Sequence, residues 1–336
     1  MMRMHALAQK RSRSLWRQEL AGAFTEVGAL LDFLDIPGAA RPQVLADHSD
    51  FPLLVPRGLA ELMRRGDPDD PLLRQVLPLR AELDAADGFG TDPVAEQAAH
   101  TEAGLLRKYQ GRALLVATGG CAVHCRYCFR RHFPYPTLPS RQRLDAALAE
   151  LAAAEDVQEL ILSGGDPLLL DDDALGDLLA RAAAMPQLRR IRVHSRLPVV
   201  LPSRVTPALC RLLGAQPQRS VLVIHANHPT ELGAGAADAL ARLRAAGVTL
   251  LNQSVLLRGI NDDVDCLSAL SERLFDCGVL PYYLHQLDRV AGAAHFAVPD
   301  AHARALESAL RARLPGYLTP LLVRELAGAA SKLPLS

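Results

Sequence analysis

From about residue 112 onward, short apolar runs alternate with longer amphipathic segments, and this alternation limits the possible fold more than any other feature. Buried parallel strands read as continuous apolar runs, and each return crossing between parallel strands needs a helix. The pattern predicts six consecutive β-α units, arranged as a partial barrel or an open doubly wound α/β sheet. The expected strands are residues 113–118, 159–165, 190–195, 221–227, 248–254 and 279–285.

Polar residues gather where these predicted strands end. In parallel α/β folds the active site lies at the carboxyl ends of the strands. We therefore expect a functional site at this edge of the sheet. The polar segments are Ser163-Gly164-Gly165-Asp166, His194-Ser195-Arg196, His225-Ala226-Asn227-His228, Asn252-Gln253-Ser254 and His285-Gln286-Leu287-Asp288.

The first hundred residues have a different pattern. Apolar residues from Leu15 to Leu31 recur at helical spacing, with Ser14 placed to cap the helix. A turn rich in Pro and Asp, within residues 64–78, precedes a second short helix. We predict a helical extension over residues 1–100 and a β/α domain over residues 101–336.

Composition excludes some classes of function. The chain has 336 residues, 49% of them hydrophobic, which is enough for a large core. Lys plus Arg and Asp plus Glu both number 37, so a net charge of zero does not favour nucleic acid or an anionic membrane as partner. No apolar run is long enough for a signal peptide or a membrane span, so we expect a cytoplasmic protein.

Three of the six cysteines lie close together in "GGCAVHCRYCFRRHF". Three residues separate Cys121 from Cys125, and two separate Cys125 from Cys128. Such a loop can direct three thiolates to one [4Fe–4S] core and leave one iron without a protein ligand. An open position of this kind is what a metal site needs to bind a substrate or cofactor. Gly119 and Gly120 permit the sharp turn.

A structural zinc site, with His124 or His132 as the fourth ligand, is the alternative. Structural zinc usually joins two cysteine pairs some distance apart, and the chain has no second pair of that kind. The isolated Cys210, Cys266 and Cys277 are expected to be buried core thiols.

The CxxxCxxC loop after the first β/α strand resembles the signature of the radical S-adenosylmethionine enzymes. This resemblance implies a cluster on Cys121, Cys125 and Cys128 whose fourth iron binds S-adenosylmethionine. It also implies an external one-electron reductant. The segment Ser163-Gly164-Gly165-Asp166 resembles the family's glycine-rich contact with the methionine amino group.

Further motifs are similar to the lysine 2,3-aminomutase group, and among them to the short form that makes β-lysine for elongation factor P. They are "GDPDDPLLRQVLP", "HCRYCFRRHFPY", "LSGGDPL", "NQSVLLRGIND" and "FDCGVLPYYLHQLDRVAGAAHF". The resemblance implies conversion of L-lysine to β-lysine for a separate ligase that modifies elongation factor P. The alternatives are an aminomutase that acts in metabolism on free lysine or another amino acid, and a non-enzymatic zinc-binding protein.

The resemblance also implies roles for individual residues. Lys332 matches the lysine that binds pyridoxal phosphate, although the preceding Gly328-Ala329-Ala330-Ser331 has fewer glycines than the family motif. Arg130 matches the arginine that holds the substrate carboxylate, and Asp288 and Glu325 match two acids that hold the distal amino group. The other implied cofactor contacts are Tyr109, Arg112, His225 and Gln253. Because the chain has no cysteine after Cys277, we expect neither the zinc segment of longer family members nor a state beyond monomer or simple dimer.

Overall fold

A computed structural model describes residues 15–39, 44, 51–101, 104–134 and 141–335. Its centre is a nine-stranded sheet in which the spatial order of the strands follows the sequence. Strands β2 to β8 are parallel, and β1 and β9 pair antiparallel at the two edges. The strands are β1 Leu105–Leu106, β2 Arg112–Thr118, β3 Glu159–Gly164, β4 Arg190–Ser195, β5 Arg219–Ile224, β6 Thr249–Leu256, β7 Leu280–Gln286, β8 Leu321–Arg324 and β9 Leu333–Pro334.

A helix of at least eight residues follows each parallel strand from β2 to β7 and leads to the next strand, so the predicted series of six β-α units is confirmed. Several of these helices begin at a side-chain cap: Asp171, Thr206 and Asp263 each accept a hydrogen bond from a backbone N–H in the first turn. The six helices are Arg141–Ala153, Asp172–Ala183, Pro207–Gly214, Ala234–Ala245, Val264–Asp276 and Asp300–Arg313.

Shorter helices fill the N-terminal segment and the loops. The α-helical ones are 15–21, Val27–Phe33, Arg57–Ala60, Pro71–Arg74, Glu96–Ala99 and Leu197–Val200. The 3₁₀ turns are Arg80–Leu83, Pro167–Leu169, Pro202–Arg204, Pro229–Glu231, Ala294–Phe296 and Gly316–Leu318. No helix in the described part of the chain is long and apolar enough to cross a membrane.

The prediction of one continuous helix between Leu15 and Leu31 is wrong. The chain leaves the helix after residue 21, and Phe24 exchanges two backbone hydrogen bonds, of 2.8 and 3.0 Å, with Val55. Burial explains the break, since Phe24 reaches the core there while Leu15 stays 49% exposed. The predicted cap Ser14 lies outside the described residues.

The N-terminal segment and the β/α units share one hydrophobic core. Trp16, Leu30 and Leu73 belong to the same buried cluster as Leu160 and Val193 of β3 and β4. Packing of this kind ties the extension to the β/α units. The domain boundary at residue 100 stays a prediction.

The sheet is curved, and a side-chain hydrogen bond connects the segments that flank its first and last parallel strands. Lys108, shortly before β2, donates a 2.6 Å hydrogen bond to Glu325, directly after β8. The curvature turns the carboxyl ends of the strands toward one cavity of about 310 Å³. The α/β fold expected from the sequence, a partial barrel with six β-α units, is confirmed.

Candidate active site

Every residue predicted for the site lines this one cavity. The three cysteines and Arg130 come from the loop after β2, and Tyr109 comes from the turn before this strand. The remaining residues come from β2 itself, from the ends of β3, β5, β6 and β7, and from the segment around β8 and β9. The predicted residues in the lining are Tyr109, Arg112, Cys121, Cys125, Cys128, Arg130, Ser163, Gly164, Gly165, Asp166, His225, Gln253, Asp288, Glu325 and Lys332.

The cysteine loop is anchored on both sides. The backbone N–H of Cys128 donates to Cys125 O at 3.0 Å, which forms a tight turn between two of the thiols. Next to Cys125, the fully buried Arg126 pairs through Nε with Glu82 at 2.8 Å, and its own N–H donates to Gln75 O at 2.9 Å. The N-terminal segment therefore fixes the position of the loop.

The three thiols lie close enough to affect one another electrostatically. Burial, followed by the neighbouring Cys128, raises the pKa of Cys121 well above its usual value. Burial, followed by Cys125, raises the pKa of Cys128 to about 11. Thiols with such raised pKa values become thiolates when a cation compensates their charge. Three thiols on one partly buried loop are a suitable donor set for a [4Fe–4S] cluster with one open iron.

The histidines considered as zinc ligands are engaged elsewhere. The Nδ1 atom of His124 lies 2.8 Å from Pro52 O, and the Nε2 atom of His132 lies 3.1 Å from Ala291 O. Among the described residues, no three His, Cys, Asp or Glu side chains are grouped to hold a single metal ion. Of the isolated cysteines, Cys210 and Cys277 are buried as expected and Cys266 is partly buried.

The glycine-rich segment after β3 packs directly on the loop that leads to the cysteines. The N–H of Gly165 donates to Thr118 O, and the N–H of Asp166 donates to Gly120 O, both at 2.7 Å. A Cβ atom on Gly165 would lie 2.0 Å from Gly120 O, far inside contact distance. Gly164 adopts a φ of 120°, which side chains disfavour. Both glycines are thus required for this close backbone approach.

Asp166 joins the ends of β3 and β4. Its carboxylate accepts hydrogen bonds from Ser195 Oγ at 2.7 Å and from the N–H groups of Arg196 and Leu197 at 2.8 and 3.1 Å. A fourth donor is the N–H of Leu168, at 3.1 Å. Burial raises the pKa of Asp166 to about 6 despite these donors. The side chain therefore has a clear role within the protein, and its predicted contact with a cofactor stays a prediction.

Arg130 is held by a residue that the sequence did not suggest. Glu96 accepts from Nε and Nη2 of Arg130, both at 2.6 Å, and both side chains are buried. The Nη1 atom donates to Ser163 Oγ at 2.9 Å and to Gly164 O at 3.1 Å. The guanidinium is consequently fixed at the point where the cysteine loop meets the glycine-rich segment.

Glu325 is shared between two lysines. It accepts from Lys332 Nζ at 2.5 Å and from Lys108 Nζ at 2.6 Å. Burial alone would raise the pKa of Glu325, but the charges of Lys332 and Lys108 outweigh it and lower the pKa to about 2. The carboxylate is therefore ionised throughout the physiological range. Lys108 also donates to Val94 O at 2.7 Å, which links the N-terminal segment to β8.

Asp288 lies in the same cavity as Glu325, but its pKa is shifted in the opposite direction. Burial, followed by the negative charge of Glu325, raises the pKa of Asp288 to about 7. Among the described residues, no hydrogen bond or ion pair engages its carboxylate. A partly buried acid of this kind can compensate a cation that enters the cavity, because the attraction of the cation offsets the desolvation and the charge of Glu325 that oppose ionisation.

Neutral histidines form another part of the lining. The Nε2 atom of His225 lies 3.1 Å from Gln253 Nε2, and burial lowers the pKa of His225 to about 3. Burial of the ring also lowers the pKa values of His194 and His285, and the Nε2 atoms of both have no hydrogen-bond partner among the described residues. These orphaned ring nitrogens are available to a bound group with hydrogen-bonding atoms.

Arg112 is a further available group at the start of β2. Its guanidinium lies 5.3 Å from the ring centroid of Tyr109, and no carboxylate of the described residues pairs with it. Arginine binds phosphate groups through two parallel hydrogen bonds. The composition of this part of the cavity therefore fits a phosphate-bearing cofactor.

Sequence reasoning missed Glu96 and Lys108 as members of the site and gave Arg196 no role. Glu96 lies before the predicted β/α domain, 34 residues from Arg130, and Lys108 lies before the first predicted strand, 217 residues from Glu325. The one available signal was the position of Lys108 next to Tyr109 in "RKYQGR".

Comparison with known proteins agrees with this arrangement. The model of the Radical SAM superfamily matches residues 115–266. L-lysine 2,3-aminomutase of Escherichia coli (strain K12) is 48% identical over 328 residues, covering 96% of this chain and 95% of that protein. The L-lysine 2,3-aminomutase of Haemophilus influenzae is 44% identical over 96% of each chain. That of Clostridium subterminale is 33% identical over 95% of this chain and 77% of its own length.

A radical SAM methyltransferase structure from Sphaerobacter thermophilus overlaps with a TM-score of 0.48 at 20% identity, covering 69% of this chain and 73% of that one.

A β/α partial barrel with this cysteine loop defines a radical SAM enzyme. The chain belongs to the L-lysine 2,3-aminomutase family, as near full-length identities of up to 48% show. It is an isomerase, and its family implies a [4Fe–4S] cluster and S-adenosylmethionine. The alternative of a non-enzymatic zinc-binding protein is wrong.

Proposed function

We propose that this enzyme converts L-lysine to β-lysine by moving the amino group from C2 to C3. The observation that carries the proposal is the set of side chains that line the cavity at the strand ends. It combines three thiols, the terminal amine of Lys332 and the partly buried acid Asp288. A site with this content can hold a radical source, a carbonyl cofactor and a cationic substrate next to one another.

Different residues of the cavity lining would hold the three cofactors. Cys121, Cys125 and Cys128 would bind the cluster, which together with S-adenosylmethionine supplies a carbon radical able to remove a substrate hydrogen. Lys332 would bind pyridoxal phosphate, whose conjugated ring system stabilises the unpaired electron during migration of the nitrogen. Arg112 and Tyr109 are the residues proposed for its phosphate and ring. The residues proposed to contact S-adenosylmethionine are Ser163, Gly164, Gly165, Asp166, His225 and Gln253.

The protein's own residues bind and orient the substrate in this proposal. Arg130 receives the α-carboxylate, and its orientation is set in advance by Glu96 and Ser163. Preorganised groups of this kind place the reacting carbon without a further ordering cost. The buried walls and neutral histidines exclude water from the radical.

The ion pairs of Glu325 with two lysines distinguish its role from that of Asp288. Because Lys332 and Lys108 already compensate Glu325, Asp288 is the acid proposed to meet the distal ammonium of lysine first. Glu325 holds Lys332 in place and supports the cation only after Lys332 has engaged its cofactor. A partly buried acid without a direct ion-pair partner among the described residues favours lysine over glutamate as substrate.

The cellular role is proposed on the resemblance of the sequence motifs to the short aminomutases. The product β-lysine would pass to a separate ligase that attaches it to elongation factor P, and an external one-electron reductant would supply the cluster. We propose that the enzyme works in the cytoplasm as a monomer or simple dimer.

The test is an anaerobic assay on the protein reconstituted with iron and sulfide. The protein is incubated with S-adenosylmethionine, pyridoxal phosphate, dithionite and L-lysine, and β-lysine is measured by mass spectrometry. Parallel reactions contain L-arginine or L-glutamate, and we expect product from lysine alone. Formation of 5′-deoxyadenosine without β-lysine would retain the radical chemistry and reject the substrate.

A further inference from the structure

Arg196, at the end of β4, extends its guanidinium to a cysteine of the loop. Its Nη1 atom donates to Cys125 Sγ at 2.7 Å, and the residue is only 6% exposed. Arginine remains charged under all conditions in proteins. A permanent positive charge therefore lies in hydrogen-bonding contact with one of the three thiols.

A buried network fixes this arginine in one orientation. Its Nη2 atom donates to Glu231 Oε2 and Gln75 Oε1, both at 2.7 Å. Glu231 and Gln75 are fully buried, and they are joined to each other by a 3.1 Å hydrogen bond. The carboxylate of Glu231 also accepts from the N–H of Asn227 at 2.8 Å. Because several elements hold the two partners, the guanidinium cannot turn away from Cys125 without leaving buried groups unpaired.

The positive charge of Arg196 lies on the side of the network that faces the cysteine loop. The guanidinium lies between Cys125 and Glu231, so its Nη1 faces the sulfur while the carboxylate contacts Nη2 on the side of Gln75. Backbone contacts add to the constraint, since the N–H of Arg196 donates to Asp166 at 2.8 Å. The positive end of the ion pair is thereby directed at the cysteine loop.

We propose that Arg196 is a positioning residue that sets the reduction potential of the iron–sulfur cluster through its hydrogen bond to Cys125. The inference rests on the proposed function, in which Cys125 is a cluster ligand. Reduction adds one electron to the cluster, and an adjacent positive charge stabilises that added negative charge. Hydrogen bonds to cluster sulfurs act in the same direction. Arg196 thus makes the cluster easier to reduce.

The experiment compares reconstituted wild type with Arg196→Gln and Arg196→Lys. Iron and sulfide content are measured first, and the midpoint potential of the cluster is then obtained from a redox titration followed by electron paramagnetic resonance. We expect the most negative midpoint in Arg196→Gln, which lacks the charge. Arg196→Lys keeps the positive charge on a shorter side chain that lacks the planar guanidinium. Its midpoint potential should lie between those of Arg196→Gln and the wild type.

Arg204→Gln is the matched control. Arg204 is also fully buried. It forms an ion pair with Asp172 at 2.8 Å and donates hydrogen bonds to Leu168 O and Leu170 O. Its replacement should lower stability but leave the midpoint unchanged. A fully loaded Arg196→Gln with the wild-type midpoint would overturn the proposal.

If Arg196→Gln does not retain the cluster, Arg196→Lys becomes the test. A midpoint potential equal to that of the wild type in Arg196→Lys would then overturn the proposal. Failure of the wild type itself to bind iron would reject the proposed function together with this inference.

Discussion

Glu96 and Arg130 form a buried ion pair with two parallel hydrogen bonds of 2.6 Å, which joins the N-terminal segment to the catalytic cavity. The glutamate is itself held in place. Ala95 before it adopts a φ of 51°, and the carboxylate of Asp92 accepts from the N–H groups of Glu96 and Gln97 at 2.9 and 3.1 Å. The pair therefore orients the arginine from a structured turn.

The first prediction concerns the stability of this pair. Glu96→Ala leaves the buried charge of Arg130 without its counterion, and breaking a buried pair in this way costs about 3–5 kcal/mol. We expect a loss of that size in the free energy of unfolding, measured by urea denaturation. The control is Asp145→Ala, which removes the partly exposed partner of Arg181 and should cost no more than about 1 kcal/mol. Equal losses in the two variants would contradict the prediction.

Much of the fold could be predicted because buried parallel strands have a distinct pattern. The six predicted runs overlap β2 to β7 closely, whereas β1, β8 and β9 were missed. These three strands have two, four and two residues. Runs that short carry no usable periodicity, and only their pairing with a neighbour makes them strands.

The sequence predicted those parts of the site that depend on short local motifs. The cysteine spacing and the polar strand ends placed many lining residues, because parallel strands bring their carboxyl ends to one edge. Lys332 and Glu325 were assigned by resemblance alone. The pairing of Glu96 with Arg130, or of Lys108 with Glu325, depends on how far the sheet curls and where the extension crosses it. No local pattern encodes those distances.

A second prediction separates the two lysines that share Glu325. Lys332→Ala should lose the absorbance of the covalent pyridoxal adduct and all formation of β-lysine, while the visible absorbance of the cluster stays at the wild-type level. Lys108→Ala removes the other partner of Glu325 and should retain the adduct. Normal turnover in Lys332→Ala, or retention of the adduct in that variant, would reject Lys332 as the attachment site.

The third prediction is a pH dependence that arises from Asp288. Its pKa of about 7, raised by burial and then by Glu325, means that the carboxylate is mostly protonated below pH 7 and ionised above it. Since the ionised form binds the distal ammonium, kcat/KM for lysine should rise with pH through about 7. An unfolded aspartate titrates near pH 4. The contribution of this group to stability is therefore present below about pH 4 and is lost between pH 4 and 7.

Asp288→Asn tests the assignment. The variant should lose this pH-dependent rise and raise KM for lysine on the order of a hundredfold, the effect of removing one partner of a buried charge pair. Formation of 5′-deoxyadenosine should decline much less. Asp300→Asn is the control, because Asp300 pairs with Arg324 and does not line the cavity. If the pH profile of Asp288→Asn is unchanged, the rise of kcat/KM with pH comes from another titrating group.

The fourth prediction concerns the contact between the glycine-rich segment and the cysteine loop. In Gly165→Ala the new Cβ would lie 2.0 Å from Gly120 O, so either β3 or the loop has to move. Because Cys121 follows Gly120 directly, we expect the variant to bind much less iron on reconstitution and to have a lower Tm. Gly176→Ala is the matched control: its Cβ would lie 3.4 Å from Leu212 Cδ2, an ordinary contact, within the helix Asp172–Ala183. That substitution should leave iron content unchanged and stabilise the helix by about 1 kcal/mol or less. Full iron loading in Gly165→Ala would show that the loop can shift without losing its ligand geometry.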